Sequence, residues 1–558
     1  MMINIPDESI DAYGIHFPTD LEIANRMIAK LRSENEALKR LTEEQKEQLR
    51  IMRLREFGRS SEKRTVEDIR QGQLFNEAEV HSTSPEKDDA VEIVRIKKTV
   101  YTRRKKSGRK PLSPNLARID IIVDINDDEK NAVPEGYELC RIGEETNEQV
   151  HEIPQKYAVI RTIRPRYIIK PVNGSGLPKP EGPVRILIAP SPPRILPRSI
   201  ATPSLLSSVL IGKFCNALPF YRQEKIFNRF GLEISRQDMS NWTIAVASKL
   251  ESFMTMLKEE LLASPYLHSD ETYFQVMGED GKANATQSYM WVITGGAGNH
   301  RVVLYNYNAS REAAFISNFL VSYQGFLQTD GYAGYNAIGE KKGIIHVGCW
   351  AHARRCFVEA FEASFKKGSA GEVIEKIGKM YGVEKTLREK YFGETGSHDA
   401  DSFVAERRSL VEPILADIKT WLDSKVIEVL PSGALGKAIS YTLNIWSRLV
   451  RYLDCPFLTP DNNEAERSIR PFTIGRKNWV MSGSPRGASA SATIYSLIET
   501  LKLNGLEPYY ALRHILTKLP VTPLESLETL LPWNLDPKYF HNLIAEDARI
   551  SLDSTPIC

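Results

Sequence analysis

The sequence predicts an α/β protein whose core carries strands and helices in the order β-β-β-α-β-α-β-α, interrupted by a helical insertion. Three observations predict it. Apolar segments rich in β-branched and aromatic residues alternate with helix-period segments between Tyr266 and Cys356. A long stretch of helical periodicity, residues 357–455, then separates this part from the rest of the core. Finally, three acidic motifs sit on or beside these segments: Ser269-Asp270-Glu271-Thr272, Thr329-Asp330-Gly331-Tyr332 and Asn462-Asn463-Glu464-Ala465-Glu466-Arg467.

Length and composition set the outer bounds. A chain of 558 residues is too long for one core, so several units are expected. Its 42% hydrophobic content is that of a globular protein, and its net charge of +2 hides basic blocks. No apolar run is long enough for a transmembrane helix, so no membrane partner is expected. The N-terminus carries Asp7, Glu8 and Asp11 and lacks the layout of a signal peptide. Six scattered cysteines do not form a disulfide framework, and a cytoplasmic location is expected.

The elements follow in order. Residues 1–56 hold a heptad pattern, with Leu21, Ile28, Asn35, Thr42 and Leu49 at a, and Ala24, Leu31, Leu38, Gln45 and Met52 at d. This reads as a coiled coil that makes a homo-oligomer, with a single amphipathic helix as the alternative. Residues 57–118 form a polar linker with a basic block: Lys97, Lys98, Arg103, Arg104, Lys105, Lys106, Arg109 and Lys110. Such a block suits DNA phosphates, or is a solvated charge run. Residues 119–200 are expected to be a small β module, with Tyr157–Ile160 and Tyr167–Ile169 as strands, followed by a Pro-rich linker, Pro178–Pro197. Residues 201–255 read as helix, glycine turn at Gly231, Ser235 cap and second helix, a helix-turn-helix-like DNA-binding region, or a plain helical hairpin that never touches DNA.

The core occupies residues 256–356 and 456–520, with a tail element at 521–558. Strands are expected at Leu267–Phe274, Tyr289–Thr294, Arg301–Tyr305, Gly325–Asp330 and Ile344–Cys349, with a helix at Ser310–Leu320 capped by Ser310. That order is the order of a ribonuclease H-like fold. Its first and fourth strands lie side by side, which would bring Asp270 and Asp330 together. In the insertion, tandem charges such as Glu406-Arg407-Arg408 read as solvated faces.

Glu466 returns the chain to the core. Asn463, Glu466 and Arg470 share one helical face, and Arg467 and Arg470 set cations beside the acid. Asp461 and Glu464 compete with Glu466 for the third ligand role. Carboxylates from separate elements suit two magnesium (or manganese) ions acting on a phosphodiester. Arg354, Arg355, Arg467, Arg470, Arg476 and Lys477 are candidate DNA contacts, and Trp350, His352, Asn463 and Trp479 candidate neighbours of the site.

These motifs, with Cys349-Trp350-Ala351-His352-Ala353-Arg354-Arg355, Arg476-Lys477-Asn478-Trp479 and Leu530-Leu531-Pro532-Trp533-Asn534, resemble those of bacterial Asp-Asp-Glu transposases of the insertion sequence 66 family. The resemblance covers nearly the whole chain. It implies binding of double-stranded DNA, cleavage at the ends of an insertion sequence and joining of the 3′-hydroxyl to target DNA. In that reading Asp270, Asp330 and Glu466 hold two metal ions, and small companion proteins of the same element are further partners. Family members often carry two Cys-x-x-Cys zinc pairs before the core. Only Cys140 stands near the first pair, so no zinc is expected there. A Cys349, His352 and Cys356 metal site is a weaker reading. The alternatives in function are a catalytically silent DNA-binding relative and a stand-alone nuclease.

Overall fold

A computed structural model describes residues 157–168, 186–296, 298, 300–364, 368–393 and 398–544, with scattered positions of a helix between 25 and 46. Cys140, Cys558, the basic block Arg103–Lys110 and most of the expected coiled coil lie outside the described residues. The protein has a mixed α/β fold with a helical majority. Its chain divides into two compact units: Glu86–Tyr323 with Ala465–Cys558, and Met1–Pro85 with Gln324–Glu464.

In the first of these, β1 (Arg166–Ile168) pairs antiparallel with β2 (Ile186–Ile188). The strand β2 lies inside the stretch expected to be only a linker. Tyr157–Ile160, expected as a strand, is not one. The Tyr157 ring instead packs edge-on against Phe227 and Phe230, while Val159 and Ile160 are exposed.

Four helices follow: α1 (Pro203–Phe214), α2 (Phe220–Arg229), α3 (Arg236–Lys249) and α4 (Glu251–Leu262). The turn between α2 and α3 forms as its residues require. Gly231 adopts φ +73°, a left-handed conformation open to glycine, and Ser235 caps α3 through a reciprocal capping box with Asp238. Val209, Phe227, Ile234 and Met239 form the core of this helical region.

The sheet of this unit contains β3 (Tyr266–Val276), β4 (Gln287–Gly295) and β5 (Val302–Asn308) as an antiparallel meander. Helix α5 (Ala313–Phe319) begins later than expected. Glu312 occupies its N-cap position without a side-chain cap bond, and Ser310, two residues too early, only accepts a long 3.4 Å bond from Glu312 N.

The other unit supplies β6 (Gly325–Gln328) and β7 (Ile344–Val347), which pair in parallel, then α6 (Trp350–Ala363), α7 (Ala370–Phe392), α8 (Ala400–Lys425) and α9 (Ala434–Asn444). The tandem Glu406-Arg407-Arg408 is a solvated face only at Arg408. Arg407 is 0% exposed, and Glu406 pairs with Lys390 and accepts from the Tyr391 hydroxyl. The next elements are α10 (Asn463–Trp479), β8 (Met481–Ser482), parallel to β3, then α11 (Pro485–Leu503) and α12 (Pro508–Lys518).

Helix α11 covers one edge of the β3–β5 meander. Ser496, Thr500 and Asn504, spaced one turn apart, bond to the backbone of Tyr305, Val303 and Arg301. Each of the three side chains also donates back to the carbonyl of the same strand residue. Side chains on one helix face therefore satisfy an edge that would otherwise present unpaired groups. Thr500→Val keeps the shape but strands a buried N–H and carbonyl. A loss of about 1–3 kcal/mol in denaturant unfolding is expected, whereas Thr493→Val, half-buried and bonded only to the Ser489 carbonyl of its own helix, should change little.

Candidate active site

The site is built from strands first. Asp270 lies mid-strand on β3, opposite Val292, which lies opposite Tyr305 of β5. Directly paired residues share a face, so these three side chains stand on one side of the sheet. Alternation adds Thr272 and Phe274 to that face and sends Glu271 to the other. There the Glu271 carboxylate is held by Arg311 at 2.5 and 2.8 Å and is nearly buried. Of the adjacent acids, Glu271 is thus committed to a structural ion pair. Asp270, half-buried, accepts the Glu271 N–H at 2.8 Å.

Helix α10 crosses the face that carries Asp270. The Tyr305 hydroxyl donates to the Ser468 carbonyl. Arg476 donates to the Thr272 hydroxyl at 3.1 Å and lies over the Tyr273 ring. Phe472 and Trp479 pack edge-on against Phe274. Glu466 is half-buried two residues before Ser468 on the same helix. Around it Asn463 is buried, Arg470 half-buried, and Arg467 and Lys477 exposed. This places one acid of the third motif on a helix packed over the strand of the first, within one compact unit.

Asp330 belongs to the other unit, two residues beyond β6. Its carboxylate accepts the Tyr332 N–H at 3.0 Å, an Asx-type turn that fixes the acid at the strand end. A Cβ at Gly331 would overlap the Tyr441 hydroxyl, so only glycine fits beside the acid. Burial, then the nearby Cys349 and Asp330, raise the Tyr441 pKa and keep it a neutral phenol. No motif in the sequence pointed to Tyr441, which lies on α9.

Thr329 bonds the buried His346 of β7 at 2.8 Å. Burial and the cations Arg448 and Arg451 lower the His346 pKa to about 3. A histidine held below its ordinary value binds fewer protons folded than unfolded. Its stabilisation is therefore complete above about pH 6.5 and is lost as pH falls towards 3. Unfolding free energy should drop by roughly 1.4 kcal/mol per pH unit across that window, and His346→Gln should flatten the dependence in an acid titration followed by circular dichroism.

The segment leading to the third motif is held tightly within the same unit. Trp350 N donates to Pro460 O at 2.9 Å, Asn462 N to Cys349 Sγ at 3.2 Å, and Gln328 to Thr459 O at 3.0 Å. Asp461 is buried, accepts the Asn463 N–H and lies beside Tyr381. This placement makes Asp461 a support of the loop, while Glu464 and Glu466 are both half-buried.

Other expected residues separate into two groups. Trp350 is buried and its indole donates to Leu449 O, so it packs the helix start. Arg354, expected to contact DNA, is 2% exposed, because it shares a buried helix face with Trp350 and Phe357. Its neighbour Arg355 is exposed, and His352 is half-buried in the first turn of α6.

Among the described residues no three His, Cys, Asp or Glu side chains are gathered into a group able to hold a metal ion. The chemistry of the acids still suits a hard cation. Magnesium takes one or two carboxylates and completes its shell with water and phosphate oxygens, so substrate supplies part of the set. No helix among the described residues is long and apolar enough to cross a membrane.

Comparison with known proteins decides the lineage. The family described as "Transposase IS66 family" matches residues 198–490, more than half of the chain. The chain belongs to the IS66 transposase family. "Transposase C of IS166 homeodomain" matches residues 44–121, a span that includes the basic block, and "IS66 C-terminal element" matches residues 496–533. Similar proteins include two from Sinorhizobium fredii (strain NBRC 101917 / NGR234). "Uncharacterized protein y4jD" is 29% identical over 93% of this chain and 96% of its own length. "Uncharacterized protein y4qI" is 28% identical over 78% of this chain and 79% of its own length.

Proposed function

We propose that this IS66-family chain is an active DNA transposase. It binds the terminal repeats of an insertion sequence, cleaves at the element ends and joins the freed 3′-hydroxyl to target DNA. The observation that carries this reading is the crossing of α10 over the Asp270 face of β3, which brings the Glu466 helix to the Asp270 strand. Asp270, Asp330 and Glu466 are the metal-holding carboxylates of a ribonuclease H-like core. Two divalent ions, when bound, activate the attacking oxygen and stabilise the leaving one.

The chain's own groups handle the rest. Arg467, Arg470, Arg476 and Lys477 follow the acid along α10 and meet the phosphates. The basic block Arg103–Lys110 within the homeodomain match adds backbone contacts. Ile28, Leu31 and Leu38, exposed at described helical positions, favour a self-association seam that pairs two element ends. The test is magnesium-dependent cleavage of a labelled duplex bearing the terminal repeats of the parent element. Cleavage at the repeat ends supports the proposal. Specific binding without cleavage under magnesium or manganese, even with companion proteins of the element added, would leave a DNA-binding protein instead.

A further inference from the structure

The helix pair α2–α3 has the form in which the second helix usually meets DNA with its N-terminal turn. Here that turn is chemically closed. Ser235 accepts the Asp238 N–H, the Asp238 carboxylate accepts the Ser235 N–H at 3.1 Å, and Glu224 of α2 accepts the Arg236 N–H at 3.2 Å. Two carboxylates thus occupy the place where a phosphate would sit, and they repel one.

The cations lie on α2 instead. Arg222, Lys225 and Arg229, at i, i+3 and i+7, form one exposed stripe. The opposite face is the buried one: Phe227 enters the core, and Gln223 donates to Val209 O and Leu218 O. Among the described residues none of the three cations has a hydrogen bond or ion pair, and Lys225 only lies over the Tyr221 ring at 4.5 Å. They border an open groove of about 600 Å³ with Leu218 and Ile226 in its lining and Asn228 as a neutral donor. Three unneutralised cations on one face of a helix make a positive stripe that complements an extended polyanion.

We infer that the exposed face of α2, not the N-terminus of α3, docks the phosphate backbone of duplex DNA. Arg222, Lys225 and Arg229 contact successive phosphates, and the apolar lining receives the sugars between them. The assignment rests on the transposase reading, because it takes DNA as the partner. It predicts orientation and affinity from α2 without sequence information, since phosphate contacts read no bases.

The test uses the full chain and a labelled duplex of arbitrary sequence, with binding measured between about 50 and 200 mM salt. The triple variant Arg222→Gln/Lys225→Gln/Arg229→Gln should lower the slope of log K against log salt by about 2 to 3, as the loss of three phosphate contacts requires. Arg222→Lys/Arg229→Lys should keep most of the slope, because charge and not fork geometry is used. An unchanged melting temperature in the triple variant separates lost contact from lost fold, as the three side chains are exposed. A triple variant that binds with the wild-type slope overturns the α2 assignment and leaves the transposase reading standing. Wild-type protein that shows no salt-dependent duplex binding overturns both.

Discussion

Asp270→Asn, Asp330→Asn and Glu466→Gln are each expected to reduce end cleavage and strand transfer by roughly a hundredfold to a thousandfold or more. Each change keeps the shape of the side chain and removes one negative charge that a divalent ion requires. Binding of duplex DNA should persist or tighten, because an acid facing a phosphate has been neutralised. The neighbouring acids give the control. Glu271 is tied to Arg311, and Asp461 is buried against its own loop. Glu271→Gln and Asp461→Asn should therefore lower stability and leave the magnesium dependence of the remaining activity unaltered. Activity measured across a magnesium titration distinguishes the two groups. A Glu466→Gln protein with wild-type turnover would remove Glu466 from the site.

Arg407→Met is expected to destabilise its unit by about 3–5 kcal/mol. The guanidinium donates to the carbonyls of Tyr452, Leu453, Cys455 and Leu458 at 2.8–3.1 Å, and meets Glu384 at 3.5 Å. The carbonyls carry more weight than the ion pair, since four close bonds outnumber one long one. Glu384 is also held by Arg388 at 2.7 Å. The double variant Arg407→Met/Glu384→Leu should thus fail to recover stability, although removal of both partners rescues many buried ion pairs. Thermal melting of the full chain reads this directly. The consequence reaches function, because residues 452–458 lead into the loop that precedes α10. Transposition should fall with stability in this variant, with no change in metal preference.

Much of this arrangement was legible because it follows local rules. The acids of the first two motifs end or interrupt apolar, β-branched runs, and strands formed there within a residue or two of expectation. Gly231 and Ser235 set a turn and cap that depend on nearest neighbours alone. What was illegible depends on distant partners. Helix α11 is rich in Gly, Ala and Ser at its start and buried nearly all round, so no amphipathic stripe marks it. Its Ser496, Thr500 and Asn504 look like ordinary polar residues until a strand edge lies beside them. Arg407 reads as a surface charge because nothing nearby in sequence announces the four carbonyls. Arg354 shows the same limit in reverse: a basic residue in the family-like Cys349–Arg355 stretch suggested DNA, and helix geometry buried it. Tyr441 touches the Asp330-Gly331 turn from more than a hundred residues away, with no local sign.

We propose that Asp270, Asp330 and Glu466 form one divalent-metal centre. The most direct test is the position of manganese, located by anomalous scattering, in the full-length protein bound to a duplex carrying an element end. Two ions shared among these three carboxylates and phosphate oxygens are the predicted result. Manganese held by Asp461 or Glu464 in place of Glu466, or none beside Asp270, would contradict it.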